Sequence, residues 1–174
     1  VYKKARGKYI AHIDGDDLAL PSKLQKQYEI LESSPDCIIC SHDMISIDER
    51  SKIKNKKYWV YPEGKVDIIK LFEKLPFFAH SSKFFRKNLE DDWDEILKDS
   101  NTLDIEIHAQ QLLKGNIYHL SMDLGGYREG VGVTANFNNK INPQIERRVI
   151  KLYEWAIINL DQHKSLLVES YSNY

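Results

Sequence analysis

The sequence predicts an α/β domain, with a mostly parallel mixed sheet flanked by helices, followed by a C-terminal helix. Three observations lead there. Runs rich in β-formers alternate with runs whose apolar residues recur at helical spacing. The first β-rich run ends in a turn carrying Asp14, Asp16 and Asp17, and an amphipathic pattern follows Pro143. With 174 residues, 42% hydrophobic and 29% charged, the chain has material for one good core. The domain is expected over residues 1–142 and the helical extension over 143–174.

In order, Lys8 to Ile13 reads as a buried strand that delivers its C-terminal end to a site. Pro21 suits a first helical turn. Leu24, Tyr28 and Leu31 form the apolar face of a helix that Ser33-Ser34-Pro35 stops. Asp36 to Ile47 is a second strand, and the basic, polar run Asp48 to Lys57 has the composition of a mobile loop. Val66 to Leu75 is a short helix ended by Pro76, and Phe78 to Arg86 returns to a strand pattern. Asp104 to Lys114 is a helix with Ile107, Leu112 and Leu113 toward the core, stopped by Gly115. Asn116 to Leu120 and Leu124 to Arg128 are two short strands, and Gly130 to Asn142 is a loop. The last helix places Ile145, Val149, Leu152, Ala156 and Leu160 on one face. It would pack on the domain, join two chains or lie on a membrane surface, and its mixed charge makes packing the default.

A formal net charge of −1 removes the electrostatic reason to expect a nucleic-acid partner. No run reaches the roughly 18 apolar residues of a membrane-spanning helix, so a cytoplasmic location is expected, with peripheral contact at the inner face of a membrane as the alternative. Cys37 and Cys40 stand in a strand-like run whose period of two would put the thiols on opposite faces. A zinc site would need a second ligand pair that the sequence lacks.

The chemistry sits in Ile13-Asp14-Gly15-Asp16-Asp17. Three carboxylates within four residues repel one another unless a cation or donor neutralises them. Oxygen ligands of this kind suit Mg²⁺ or Mn²⁺ shared with the phosphates of a substrate. An ordinary Asp-rich turn capping the next helix is the competing reading. An EF-hand is excluded, since Leu18 and Ala19 stand where its loop wants an oxygen ligand and a glycine.

The wider string from Gly7 to Leu24, with Gly7-Lys8-Tyr9-Ile10 before the acids and Pro21-Ser22-Lys23-Leu24 after them, resembles the GT-A-fold glycosyltransferases of family 2. The resemblance implies an inverting, metal-dependent transfer of sugar from a nucleotide-diphospho-sugar, UDP-linked by preference, to a glycan or lipid-linked acceptor. It implies that Asp14 lies near the donor's ribose or the metal, that Asp16 is the main metal-pyrophosphate ligand, and that Asp17 supports the loop. The family's catalytic base opens a helix where Leu103-Asp104-Ile105-Glu106 stands here, so Asp104 and Glu106 are the candidate bases. On one helix they point about 200° apart, and only one can face the acceptor. His80 resembles a residue on the floor of the sugar pocket, and Tyr127-Arg128 resembles the pair before a flexible lid, with Arg128 a candidate phosphate partner.

The resemblance covers about residues 5–130 and begins part-way into the family domain, so the base-binding opening half is expected to be missing. A separate half, or a second copy of the chain as a homodimer, would complete the sheet. Two other readings remain: a truncated domain that binds a partner without catalysis, and a phosphohydrolase of the haloacid dehalogenase type using Asp14 and Asp16.

Overall fold

The computed structural model describes residues 2–87, 98–99, 101–130 and 142–173. In chain order the described elements are β1 (Tyr9–Ala11), β2 (Leu18–Ala19), α1 (Lys23–Ser33), β3 (Cys37–Ile47), β4 (Ile53–Tyr58), β5 (Gly64–Val66) and α2 (Ile68–Glu73). They continue as β6 (Phe84–Arg86), α3 (Asp104–Leu112), β7 (Asn116–Arg128), α4 (Pro143–Asn159) and α5 (Lys164–Ser172). Short 3₁₀ turns cover Tyr2–Lys4, His80–Ser82 and Asp161–His163.

One mixed, curled sheet organises the domain, as the α/β expectation requires. Its spine is the parallel pair of β3 and β7, the two longest strands. The remaining ladders are antiparallel and short. Parallel pairing therefore holds the centre and not the majority of strands. A parallel neighbour needs a long crossover, which the chain makes once between β3 and β7, whereas short returning segments can only pair antiparallel. β6 and β4 share one edge of β3, pairing with its first and last thirds; β5 and β2 share the far edge of β7 in the same way.

Helices cover both faces. Phe84 and Phe85 alternate across the sheet, Phe84 packing in a cluster with Leu31 of α1 and Phe85 in the larger cluster with α2, α3, α4 and α5. The larger cluster takes in Phe72, Phe78, Ile105, Val149, Leu152, Ala156 and Leu167. The C-terminal segment is thus packed on the domain. Tyr153 donates to the carbonyl of Phe72 at 2.7 Å, and Asn142 caps α4 by accepting from the Gln144 amide at 2.9 Å.

Several local expectations change. The segment read as one long helix breaks after Asn159 and resumes as α5. The polar run after Asp48 contains β4, held as a strand by pairing with β3, since a neighbouring edge can override weak propensity. Asn116 to Arg128 is one continuous strand; register shifts against β3 absorb the break in apolar pattern at Ser121 to Asp123. β1 is an edge strand of the described sheet and is only half-buried. Cys37 and Cys40 lie in the same cluster, with Leu31 and Leu124, because the register slips between Cys37 and Ile39 and turns both thiols toward α1. Both are buried free thiols. Leu113 is exposed.

The largest departure is α1. Its buried face is Lys23, Gln27 and Leu31, while Leu24 and Tyr28 are exposed, and Pro21 lies before the helix, whose N-cap Ser22 has φ 68°. Gln27 donates to the carbonyls of Ser82 at 2.7 Å and Cys40 at 2.8 Å, and accepts from Lys23 Nζ at 2.7 Å. These carbonyls belong to the 3₁₀ turn before β6 and to β3, so α1 is fastened by polar bonds to backbone.

Candidate active site

The acidic turn leaves β1 and enters β2, which pairs with Gly125 and Gly126 near the end of β7. That pairing places the turn at the C-terminal end of the parallel β3–β7 pair, where α/β sheets present ligands. Close approach demands the glycines there: a Cβ on Gly125 would collide with Met44 Sδ and with His42 Cε1 at 2.9 Å.

Each acid of the turn has a different setting. Asp14 accepts from Ser81 Oγ at 3.0 Å on one oxygen and faces His12 Nε2 at 3.1 Å with the other. The His12 contact, aided by Ser81, holds its carboxyl below the usual range. Asp17 is pushed up by burial, although its carboxylate accepts the Arg128 amide at 2.9 Å. Asp16 is exposed, and its carboxylate makes no hydrogen bond among the described residues.

Arg128 acts on the turn's backbone. Its Nε donates to the Asp16 carbonyl at 2.6 Å, and its terminal nitrogens reach the Asp48 carbonyl and Ser51 Oγ at 2.9 Å. It clamps the acidic turn to the loop before β4. The lid expected after it falls at residues 131–141, outside the described residues.

Behind Asp14 runs a chain of imidazoles. An ionised carboxylate only accepts, so His12 Nε2 donates to Asp14, and His12 Nδ1 shares a hydrogen bond with the Tyr2 hydroxyl at 2.8 Å. The Tyr2 oxygen lies 3.4 Å from His80 Nε2, and His80 Nδ1 shares a hydrogen bond with His108 Nε2 at 3.0 Å. His108 Nδ1 is buried without a partner among the described residues, as the end of such a chain requires. Burial pushes His80 down to about 3 and His108 well below its ordinary value, so both are neutral. His80 is a member of this chain from Asp14 into the core.

Asp104 opens α3 and is pushed up by burial, with the Ile105 amide, which donates to its Oδ1 at 2.9 Å, and then Lys83 pulling it back. Lys83 is fully buried, its Nζ 3.3 Å from Gln111 Oε1 and 5.0 Å from the centre of the Phe85 ring. Burial lowers its pKa to about 7, while Asp104 and Asp14 oppose that fall. Lys83 therefore lies within the field of both carboxylates, one on the turn and one on the helix. Glu106 faces the other way: it accepts the Leu103 amide at 2.6 Å and binds Arg148 of α4 through both oxygens at 2.8 and 2.9 Å. The structure thus separates the two candidate bases, leaving Asp104 beside the buried Lys83 and committing Glu106 to the helix cap and ion pair.

Ser41, His119 and Asp43 form a second line, with Ser41 Oγ 2.9 Å from His119 Nδ1 and Asp43 Oδ1 2.8 Å from His119 Nε2. The residue types are those of an acyl-transfer triad, but Ser41 and His119 are 0% exposed. No substrate reaches them, and the trio cross-links β3 to β7.

The model of glycosyl transferase family 2 matches residues 1–93, more than half of the chain. The chain belongs to glycosyl transferase family 2. An uncharacterized glycosyltransferase of Methanocaldococcus jannaschii is 43% identical over 58 residues, which are 31% of this chain and 20% of the relative. The amylovoran biosynthesis glycosyltransferase of Erwinia amylovora is 30% identical over 79 residues, 45% of this chain and 29% of the relative. The chain thus spans less than a third of either relative's length. The family match includes the acidic turn, His80 and Lys83 and stops before Asp104. Family membership favours the transferase reading over the phosphohydrolase one, and both Asp14 oxygens are already engaged, which ill suits a nucleophile.

Among the described residues no three His, Cys, Asp or Glu side chains converge as a metal cage. The turn instead fits a hard cation held by one or two carboxylates together with phosphate oxygens, because Asp16 presents an exposed carboxylate and Asp14 and Asp17 add negative charge beside it. Sequence reasoning missed Tyr2, His12, Ser81, Lys83 and Gln111. The signal present was a histidine two residues before Asp14, on the same strand face, and a lysine between apolar residues in a strand.

Proposed function

We propose that this chain carries the leaving-group and base side of an inverting glycosyltransferase, moving a hexose-type sugar from a nucleoside-diphospho-sugar, UDP-linked by preference, to a hydroxyl of a glycan or lipid-linked acceptor. The observation that supports it most is the shared field of Asp14 and Asp104 around the buried Lys83. That arrangement sets a family acidic turn and a helix-borne carboxylate around one buried lysine.

Asp16, with Asp14 beside it, would hold Mn²⁺ or Mg²⁺ together with the donor's phosphates; such an ion supplies neutralisation of the charge on a departing diphosphate. Arg128 fixes the turn's backbone, so Asp16 stays aimed at solvent while its peptide is clamped. Asp104 is the base: burial raises its proton affinity toward that of a useful acceptor, while the Ile105 amide and then Lys83 oppose that rise. The acceptor oxygen forms its bond to the anomeric carbon on the face opposite the breaking bond to diphosphate, its proton passes to Asp104, and one displacement inverts the anomeric centre.

Calorimetric titration of UDP in the presence and absence of Mn²⁺ tests the reading. Binding that needs the metal and disappears in Asp16→Ala supports it. Binding of neither partner, or binding indifferent to Asp16→Ala in a folded variant, overturns it.

A further inference from the structure

Beside the acidic turn stands a group of aromatic rings that the proposed chemistry leaves unused. Tyr58, Trp59 and Tyr127 pack in a triangle, with ring centres 5.2 Å apart for Tyr58–Trp59 and Tyr58–Tyr127 and 5.1 Å apart for Trp59–Tyr127. Tyr58 ends β4 and Tyr127 lies near the end of β7, and both strands flank β3, so the rings meet across it. All three are only partly buried, and Val60 beside them is 52% exposed. Rings that served only the core would be covered.

Trp59 also sits in the left-handed backbone region, at φ 53°. A bulky residue rarely adopts that conformation, and such strain persists where the surroundings hold the residue in a set direction. Here it turns an indole onto the two tyrosines at the surface.

The rim is polar and balanced. Lys54 pairs with Glu129 at 3.0 Å and Lys57 with Asp123 at 2.7 Å, and the Tyr58 hydroxyl donates to Glu129. Each lysine is paired with a carboxylate, so the rim holds donors and acceptors without a net charge. That suits a neutral, polyhydroxylated ligand better than an anion. The platform is continuous with the turn: Tyr127 precedes Arg128, whose amide and Nε hold Asp17 and Asp16.

The geometry points to a saccharide subsite, in which the triangle takes the apolar C–H face of a pyranose and the rim bonds its hydroxyls. Naming that sugar as part of the acceptor glycan rests on the transferase reading; the binding itself does not.

The test follows the indole N–H signal of Trp59, one of three tryptophans, identified by its loss in Trp59→Phe. Cellohexaose, maltohexaose and chitohexaose are titrated separately into the labelled chain, and UDP with Mg²⁺ in a parallel series. At least one oligosaccharide should shift the Trp59 signal and leave that of Trp155 in place. Tyr127→Ala and Trp59→Leu should weaken that binding at least tenfold, and Asp16→Ala should leave it unchanged. The unsubstituted chain alone already decides the matter should a variant not fold. No shift at Trp59 with any of the three sugars overturns the subsite, as does a shift produced by UDP alone, which would make the rings a nucleobase shelf. UDP binding lost in Asp16→Ala reports on the transferase reading separately, so either idea can fail while the other stands.

Discussion

His80 Nδ1 lies 3.0 Å from His108 Nε2, and this bond joins the acidic turn to the interior of α3. His108 is on the helix that Asp104 opens, one turn further along. Through His80, Tyr2 and His12, the orientation of Asp14 depends on a residue buried in the core. The two buried members, His80 and His108, serve there as neutral imidazoles, each able to donate at one nitrogen and accept at the other.

Their neutrality makes stability depend on pH. Free histidine titrates near 6.5, whereas burial holds His80 and His42 near 3 and His108 well below the ordinary value. Between those limits the unfolded chain binds protons that the folded chain refuses. Stability is therefore full above about pH 6.5 and falls as the pH drops toward 3, by up to about 1.4 kcal/mol per pH unit for each histidine. Urea unfolding at about pH 7.5 and about pH 5 measures it, and His80→Gln should flatten the profile. Equal midpoints at the two pH values in the unsubstituted chain would count against neutral buried imidazoles.

Lys83 opposes the upward push that burial gives Asp104. Replacing it by methionine removes the cation that opposes burial, so Lys83→Met should raise the Asp104 carboxyl pKa. Side-chain carboxyl NMR, with Asp104→Asn supplying the assignment, follows the titration directly. An unchanged Asp104 titration would show that the lysine field does not reach it.

Glu106 should prove structural. Its two-oxygen contact with Arg148 and its hold on the Leu103 amide predict a loss of about 1–2 kcal/mol in Glu106→Gln, with a non-additive cycle against Arg148→Met. UDP binding should be untouched. A change in metal-dependent nucleotide binding without a change in stability would return Glu106 to the site.

The polar face of α1 predicts an inverted mutational pattern. Gln27→Ala strips the hydrogen-bond donor from two buried carbonyls and should cost about 2–3 kcal/mol. Leu24→Ala, at a 56% exposed position, should stay within about 0.5 kcal/mol. Thermal or urea unfolding of the pair compares them, and the reverse ranking would mean that α1 packs by its apolar stripe.

α1 also shows where reading the sequence reached its limit. Leu24, Tyr28 and Leu31 carry helical spacing, and the helix exists, yet two of the three face solvent. Periodicity counts apolar side chains and cannot see that the surface beneath the helix offers two backbone carbonyls in need of donors. The same blindness hid β4: a polar run becomes a strand once an edge of β3 stands beside it. Asp104 and Glu106 were equal as acids at the start of a helix, and the difference came from Arg148, distant in sequence, meeting only one of them.

By itself the sequence determined the α/β class, the strand, acidic turn and helix string, and through that string the family, because these depend on residue types and spacings within a few turns of chain. Which acids act on the buried lysine, which is tied to a helix cap, and that three histidines line up behind Asp14 were decided by the tertiary structure alone. Burial and proximity set charge states and hydrogen-bond direction, and both arise only when distant segments pack.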